Sequence, residues 1–391
     1  MIRSIGLHTY ELNDPIIAAE EIKAGLKNFP LMENSLGIIM CDPEYLESGV
    51  YEAVCEALPF PCVGSTTTTQ AVNEEADILI LTVYVMTADD VFFSVAMSDD
   101  VPKNNDALSP TRAAFEKAAR ELPSEPKLII AFPPIIPENA GDAYVEAFSA
   151  LCPGVPLFGT LAISDAIAFD NCSSLCEGAA SQDRIAFALI AGNINPRFIV
   201  SSVDDSNKTQ YGGEITKSFE NIVQEINGVS TYEYFEGIGL AKNGKLDEGL
   251  QFVPILIDFK KRDDYDGIPV VRAIVYLDEN GYAVCRGFMY QNSVFTIINP
   301  TMDDILRSSL RFTEKLAEVP DRQATLILSC IVRRMTFGAA PLTEALMIKE
   351  KLGDGPPFMF AYAGGEICPT SVRDGVATNR FHNFSIIACV L

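Results

Sequence analysis

The chain has 391 residues, 48% of them hydrophobic, which is enough to bury a large core and too many for one small domain. Lysine and arginine number 29 against 53 aspartates and glutamates, a formal net charge of −24. Such a surface repels phosphate backbones and anionic lipid, which argues against nucleic acid and membrane surfaces as partners and leaves solubility as the reading of the acidity.

The N-terminal "MIRSIGLHTYELND" lacks the apolar segment of a signal peptide, and no apolar run approaches the roughly 20 residues that span a bilayer. A cytoplasmic protein is expected, with its ten cysteines as reduced, mostly buried thiols. Asp14 followed by Pro15 predicts an N-cap and first turn for the helix "PIIAAEEIKAGL". A first unit follows: strand "LGIIMC", helix "PEYLESGVYEAVCEALP", then "FPCVGSTTTTQ" and strands "ILILTVYVM" and "VFFSVAMSD". Ser109 and Pro110 repeat the cap signal, with Phe115, Ala119 and Leu122 on one helical face.

A second unit runs "KLIIAF", "NAGDAYVEAFSALCPG", "VPLFGTLAISDA", "RIAFALIAG", "RFIVSSV". Between about 203 and 228 the chain turns polar, and the domain boundary is placed there, giving domains 1–210 and 225–391. The second domain opens with the short helical pattern "GVSTYEYFEGIGL". The strands "FVPILIDF", "VVRAIVYL", "YAVCRGF" and "SVFTII" follow, with "DENG" at 278–281 as a hairpin turn and 260–267 as a charged, solvated loop. Thr301, Asp303 and Asp304 open a helix whose apolar stripe reads as core. A third unit closes the chain: "ATLILSC", "PLTEALMIKEKLG", "PPFMFAYAGGEI" and a final strand "FHNFSIIACVL".

The fold class is therefore α/β (α+β), with repeated strand-helix-strand-strand units, mixed β-sheets and helices packed on their outer faces. Gly64, Gly159 and Gly364–Gly365 hold comparable places, each read as a break after the second strand of a unit.

Three closing motifs, "LSCIVRR" at 328–334, "FAYAGGEI" at 360–367 and "FHNFSIIACVL", resemble the FIST C-terminal domain, as does "GVSTYEYFEGIGL". "DPIIAAEEIKAGL", "FPCVGSTTTTQ" and "VPLFGTLAISDA" are similar to motifs of the FIST N-terminal domain, so the resemblance covers nearly the whole chain. It implies a sensory, ligand-binding protein of signal transduction, with small ligands such as amino acids. Some relatives bind haem and sense nitric oxide. No output domain is expected after Leu391, and the implied signalling partner is then a separate chain. Val332 and Phe360 stand where the family usually has glycine, which bears on pocket shape more than on fold.

If the strands "ATLIL" and "FMFAY" are parallel neighbours, Cys330, Arg333 and Glu366 meet at their C-terminal ends, where open α/β sheets bind ligands. Arg333 and Glu366 are the expected anchors for a ligand's carboxylate and ammonium, with Cys330, Tyr362, Gly365 and Asn383 lining the site. The alternative is a structural pair, or solvated arginines at 333 and 334. Ser65 and Thr66, with the threonines after them, either line a polar pocket or form a turn and edge strand; Asp165 is the matching group in the second unit.

The two histidines, His8 and His382, and the pair in "CSSLC" do not make a zinc set, so no metal is expected. No cofactor is expected either, with haem on His382 as the alternative. No phosphate-binding motif is present, and a thiol enzyme using Cys330 with His382 is the lesser reading, because a strand-end cysteine is usually inert. A non-enzymatic sensor for a small polar metabolite is the expected function.

Overall fold

Three strands with alternating apolar residues organise the molecule. Ile38 and Met40 point to one core while Ile39 and Cys41 point to another. Leu128, Ile130 and Phe132 alternate with Ile129 and Ala131 in the same way, and Leu326 and Leu328 with Ile327. The two-residue period of a strand puts the first set of each on a shared interior face and the second under helices. The computed structural model describes residues 1–391 except 74, 166–170, 204–206, 248–251, 260–266 and 354. The charged loop expected at 260–267 lies largely outside the described residues.

Each of these strands sits in a six-stranded sheet, and the three sheets share one order. The first runs Arg3–Thr9, Leu81–Ala88, Asn34–Cys41, Cys62–Thr66, Ser174–Cys176, Ala179–Ser181. The second runs Val91–Met97, Ala186–Gly192, Leu128–Phe132, Leu157–Thr160, Glu366–Arg373, Val376–His382. The third runs Arg197–Ser201, Ile386–Val390, Thr325–Cys330, Phe358–Ala363, Gln70–Val72, Glu75–Asp77. In every sheet the central pair is parallel and the rest antiparallel. The short hairpin following each parallel pair joins a neighbouring sheet: 70–77 pairs with Phe358–Ala363, 174–181 with Cys62–Thr66, and 366–382 with Leu157–Thr160. Strands from residues 1–210 and 225–391 are thus hydrogen-bonded within two of the sheets.

Two helices cover each sheet's outer face. Pro15–Leu26 and Val50–Ala57 pack on the first, Leu108–Arg120 and Gly141–Leu151 on the second, Met302–Ala317 and Thr343–Leu352 on the third. The caps follow the sequence. Asp14 accepts from Ile16 and Ile17 N–H, and Thr301 with Asp304 forms a capping box, each worth about 1 kcal/mol. Ser109 is not a cap: that helix starts at Leu108, and the Asp106 carboxylate accepts from Ser109 N–H.

The polar stretch from 208 forms strand Lys208–Phe219, which pairs with Val294–Ile298 and with Ile222–Ile226. These strands, with Val253–Asp258, Val270–Leu277 and Ala283–Cys285, form an antiparallel sheet closed on itself around its own apolar cluster. The "DENG" turn is present, Gly281 N–H donating to Asp278 C=O at 2.9 Å.

Glycine plays a different part from a break. Gly64 lies inside strand Cys62–Thr66, and a Cβ there would stand 1.7 Å from Ile39 C=O; at Gly159 it would stand 1.9 Å from Ala131 C=O. Both are close approaches of parallel neighbours. Counting three residues from Pro61, Pro156 and Pro357, the third member of this set is Phe360, not Gly364 or Gly365. At the start of these pairs Gly37 N–H donates to Pro61 C=O and Ile129 N–H to Pro156 C=O. In the third pair the Tyr84 hydroxyl is inserted, accepting from Thr325 N–H at 2.9 Å and donating to Pro357 C=O at 2.8 Å.

Candidate functional site

Loops leaving the three parallel pairs cross at one place. Ile163 N–H donates to Thr66 C=O at 3.0 Å, Gly364 N–H to Leu161 C=O at 3.0 Å, and Thr67 Oγ1 to Tyr362 C=O at 2.6 Å. Glycine is needed in the third loop for packing. A Cβ on Gly365 would meet the Phe381 ring at 2.3 Å, and one on Gly364 would meet Ile135 at 2.7 Å. The first residue of each swapped hairpin faces this crossing: Gln70 opposite Ala361, Ser174 opposite Ser65, Glu366 opposite Thr160. Gln70 is satisfied by Ile80 C=O and Thr82, whereas Ser174 Oγ and Glu366 Oε1 have no hydrogen-bond partner among the described residues.

The parallel pairing of Thr325–Cys330 with Phe358–Ala363 is as expected, but an intervening short helix, Ile331–Thr336, turns Arg333 away from Glu366. Arg333 is fully buried and grips Glu344 through Nε at 3.1 Å and Nη2 at 2.6 Å. Nη2 also donates to Ser309 Oγ at 2.7 Å, and Nη1 to Phe384 C=O at 3.3 Å. Ser309 and Ser329 hydroxyls complete the Glu344 carboxylate at 2.5 and 2.7 Å. Burial alone would raise the Glu344 pKa, but Arg333 and the two serines hold it below the usual value. Arg333 and Glu366 were expected to face one ligand as its two anchors, with a structural pair between them as the alternative; Arg333 instead bonds Glu344, and the alternative pair is not formed. Arg334 is not a solvated arginine either, since it bonds Thr69 Oγ1 at 2.9 Å and Asp165 at 2.7 Å.

Glu366 is fully buried, and its Oε2 accepts from Ser385 N–H at 3.3 Å. Burial pushes its pKa well above the carboxylate range, opposed only in part by Cys330, Ser385 N–H and Arg333. Cys330 lies beside it, 1% exposed, its thiol pushed well up by burial and then by Glu366. Tyr362 is enclosed next to Glu344, and its hydroxyl makes no hydrogen bond among the described residues. Asn383 accepts from Ala273 N–H at 3.3 Å. Ser65 and Thr66 belong to the first sheet instead, where Ser65 Oγ meets Met40 Sδ and Thr66 Oγ1 bonds Ser173.

His382 does not begin the last strand. It ends Val376–His382, and a turn with Phe384 at φ +59° separates it from Ile386–Val390. This turn brings His382 and Ser385 to a cavity of about 350 Å³, within the usual range for small-molecule sites. Val200 and Ser202 form one wall, Leu256 and Val271 another, and Pro369 and His382 a third. Among the described residues, none that lines it is Lys, Arg, Asp or Glu. Ser202 Oγ is buried there without a partner among the described residues. The Ser385 backbone links this cavity to Glu366 directly behind it.

Sequence reasoning missed Glu344, Ser309, Ser329 and Ser202. It also missed a second buried pair, Asp142 with Arg272, in which Nη2 reaches the two carboxylate oxygens at 2.9 and 3.1 Å. A helix-start glutamate such as Glu344 carries no local signal that distinguishes a buried charge from a surface one.

The FIST N domain matches residues 35–229 and the FIST C domain matches residues 232–369. Val200 and Ser202 fall in the first match, and Leu256, Val271 and Pro369 in the second, so the cavity lies between the two. No curated protein matches the chain. Among solved structures, a cyanuric acid hydrolase is similar at 10% identity and TM-score 0.28, over 66% of this chain and 81% of that one. Another, from A. caulinodans, has 10% identity and TM-score 0.27, over 49% and 70%. PurLQS from Thermotoga maritima has 11% identity and TM-score 0.18, over 100% and 71%. Scores this low carry no argument.

Proposed function

The chain belongs to the FIST family, whose domains are sensory ligand-binding modules of signal transduction, and we propose that it binds a small uncharged polar metabolite in the 350 Å³ cavity between its two FIST segments. The observation that carries this is the cavity itself: apolar walls, hydroxyls at Ser202 and Ser385, the buried Glu366 carboxyl joined to it through Ser385, and no Lys, Arg, Asp or Glu among its described lining residues. An amino acid suits the cavity less well. Its carboxylate needs a cation, and Arg333 is committed to Glu344, so an uncharged molecule suits the lining better.

The reading is of a non-enzymatic, cytoplasmic protein that signals to a separate chain. Its ten free cysteines suit a reducing compartment. The thiol-enzyme alternative is disfavoured because Cys330 is buried, with its thiol pushed up and facing Glu366. The haem alternative is disfavoured because His382 Nε2 stands 3.1 Å from Cys368 C=O, so that nitrogen is not available to iron. No cofactor enters the reading.

The test is differential scanning fluorimetry across uncharged metabolites and amino acids, with hits repeated on Val200→Trp to fill the cavity. An uncharged hit lost in Val200→Trp is the expected outcome. A ligand that stabilises wild type and Val200→Trp equally sinks the cavity as the site, and amino acids as the sole hits sink the ligand class.

A further inference from the structure

The walls of the cavity of about 350 Å³ are graded from one end to the other. Ile268 is 41% exposed and Pro269 is exposed beside it, whereas His382 and Ser385 are 3% and 1% exposed. The cavity therefore opens past an apolar pair and ends at polar residues, the reverse of a pocket that buries an apolar group first. Its polar groups differ in what they have left to offer. The Ser385 hydroxyl donates to Asn383 C=O at 3.2 Å, so towards a ligand its oxygen accepts. The Thr370 hydroxyl likewise donates to Thr378 C=O at 3.2 Å, and His382 Nε2 is engaged with Cys368 C=O at 3.1 Å. Ser202 Oγ, buried and without a partner among the described residues, can both donate and accept. Val200, Leu256 and Val271 complete the walls with apolar side chains.

Resting on the reading of this cavity as the ligand site, we propose that its ligand is a neutral alcohol or primary amide with an apolar tail, bound head first. A head of this kind gives a proton to Ser385 Oγ and takes one from the Ser202 hydroxyl. An ester or ketone, which only accepts, satisfies Ser202 alone. A carboxylate or ammonium head finds no Lys, Arg, Asp or Glu among the described lining residues to pair with, and burying a charge unpaired is costly. The tail runs back along Val200 and Leu256 and leaves over Ile268 and Pro269, where it covers apolar surface that is otherwise open to water. The polar inner end thus selects the head, and the apolar rim rewards a tail long enough to reach it.

The test titrates the full chain by differential scanning fluorimetry with butanamide, hexanamide and octanamide. Octanoate, octylamine and methyl heptanoate serve as head-group controls, and each probe is repeated on Ile268→Asp and Val200→Trp. Apparent affinity is expected to rise about four-fold per methylene along the amides. Octanoate and octylamine, charged at neutral pH, should bind at least about ten-fold more weakly than octanamide, and methyl heptanoate about five-fold more weakly. Ile268→Asp, a change at an exposed position, should cut the gain from hexanamide to octanamide to about two-fold or less. Three results overturn the head-and-tail assignment while Val200→Trp still abolishes binding and so leaves the cavity as the site: no gain along the amides, a charged control equal to octanamide, or an Ile268→Asp series unchanged from wild type. Binding that survives Val200→Trp removes the cavity reading as well. No shift from any amide overturns the assignment by itself. Should Val200→Trp not fold, the Ile268→Asp series carries the decision.

Discussion

Arg333 closes on Glu344 at 2.6 Å and not on Glu366, and this choice of partner divides the buried acids into two kinds. Glu344 has a guanidinium and two serine hydroxyls, so it is ionised. Glu366 has only the Ser385 N–H and a neighbouring thiol to offset its burial, which holds its pKa well above the usual carboxylate value. The first acid is structural by its saturation. The second stands next to a cavity with one oxygen free of partners among the described residues.

The division predicts unequal costs. Glu344→Gln leaves the Arg333 charge buried and uncompensated, and should cost about 3–5 kcal/mol. Glu366→Gln exchanges a buried carboxyl whose pKa is raised for an amide of the same shape, and should hold or raise stability at neutral pH. Urea unfolding at neutral pH measures both. Similar losses from the two variants would refute the division.

The same assignment fixes a pH dependence. The folded pKa of Glu366 lies well above its ordinary value, so the folded state holds a proton that the unfolded chain releases. Below about pH 4.5 both states are protonated and the group has no effect. As pH rises past that point the unfolded state ionises first, and stability falls by up to about 1.4 kcal/mol per pH unit until the folded pKa is reached. Glu366→Gln should remove this slope. Its stability relative to wild type should therefore grow between pH 5 and pH 7, read from urea midpoints at each pH. A constant difference across that range would mean that Glu366 is ionised.

The elements were legible in the sequence wherever a local pattern decides them. Asp14–Pro15 and Thr301 cap the helices that they announce, and the "FMFAY" strand runs parallel to "ATLIL". The hairpin exchange between sheets was not legible, because the pairing of Gln70 with Ala361 or of Glu366 with Thr160 is long-range and leaves no local periodicity. The candidate cluster was half legible. Cys330 lies beside Glu366, but Tyr362 is enclosed next to Glu344, and a short helix after Cys330 rotates Arg333 to Glu344, a partner that nothing within "CIVRR" encodes. The cavity was illegible for a related reason: Val200, Leu256 and Pro369 read as ordinary core, and only their failure to close on one another makes a site.

Ser202 tests the cavity as a functional feature. Its buried hydroxyl has no partner among the described residues, a state that costs about 1–3 kcal/mol. Ser202→Ala should therefore hold or raise stability, by about 1 kcal/mol, in thermal unfolding without ligand. The same variant should weaken any ligand that uses the hydroxyl, by about 0.5–1.5 kcal/mol in titration calorimetry. A loss of stability in the free protein would show that the hydroxyl is already satisfied.

The last prediction concerns the glycines of the parallel pairs. Gly64 and Gly159 leave 1.7 and 1.9 Å between a would-be Cβ and the carbonyl oxygen of the adjacent strand, so an alanine has to displace a hydrogen-bonded neighbour inside a sheet. Gly64→Ala and Gly159→Ala should each cost at least about 3 kcal/mol, or prevent folding. The third pair tolerates Phe360 at the same register, and it is the pair in which the Tyr84 hydroxyl replaces a direct backbone bond at the entrance. Tyr84→Phe should leave Thr325 N–H and Pro357 C=O without this partner and cost about 2 kcal/mol. Gly375, in an open turn at φ +79° with nothing within 4 Å of its Cβ direction, serves as the control. Gly375→Ala should cost only the strain of its positive φ, about 1–2 kcal/mol. Urea unfolding of the four variants decides the matter: if Gly64→Ala is no worse than Gly375→Ala, close strand approach is not what glycine serves there.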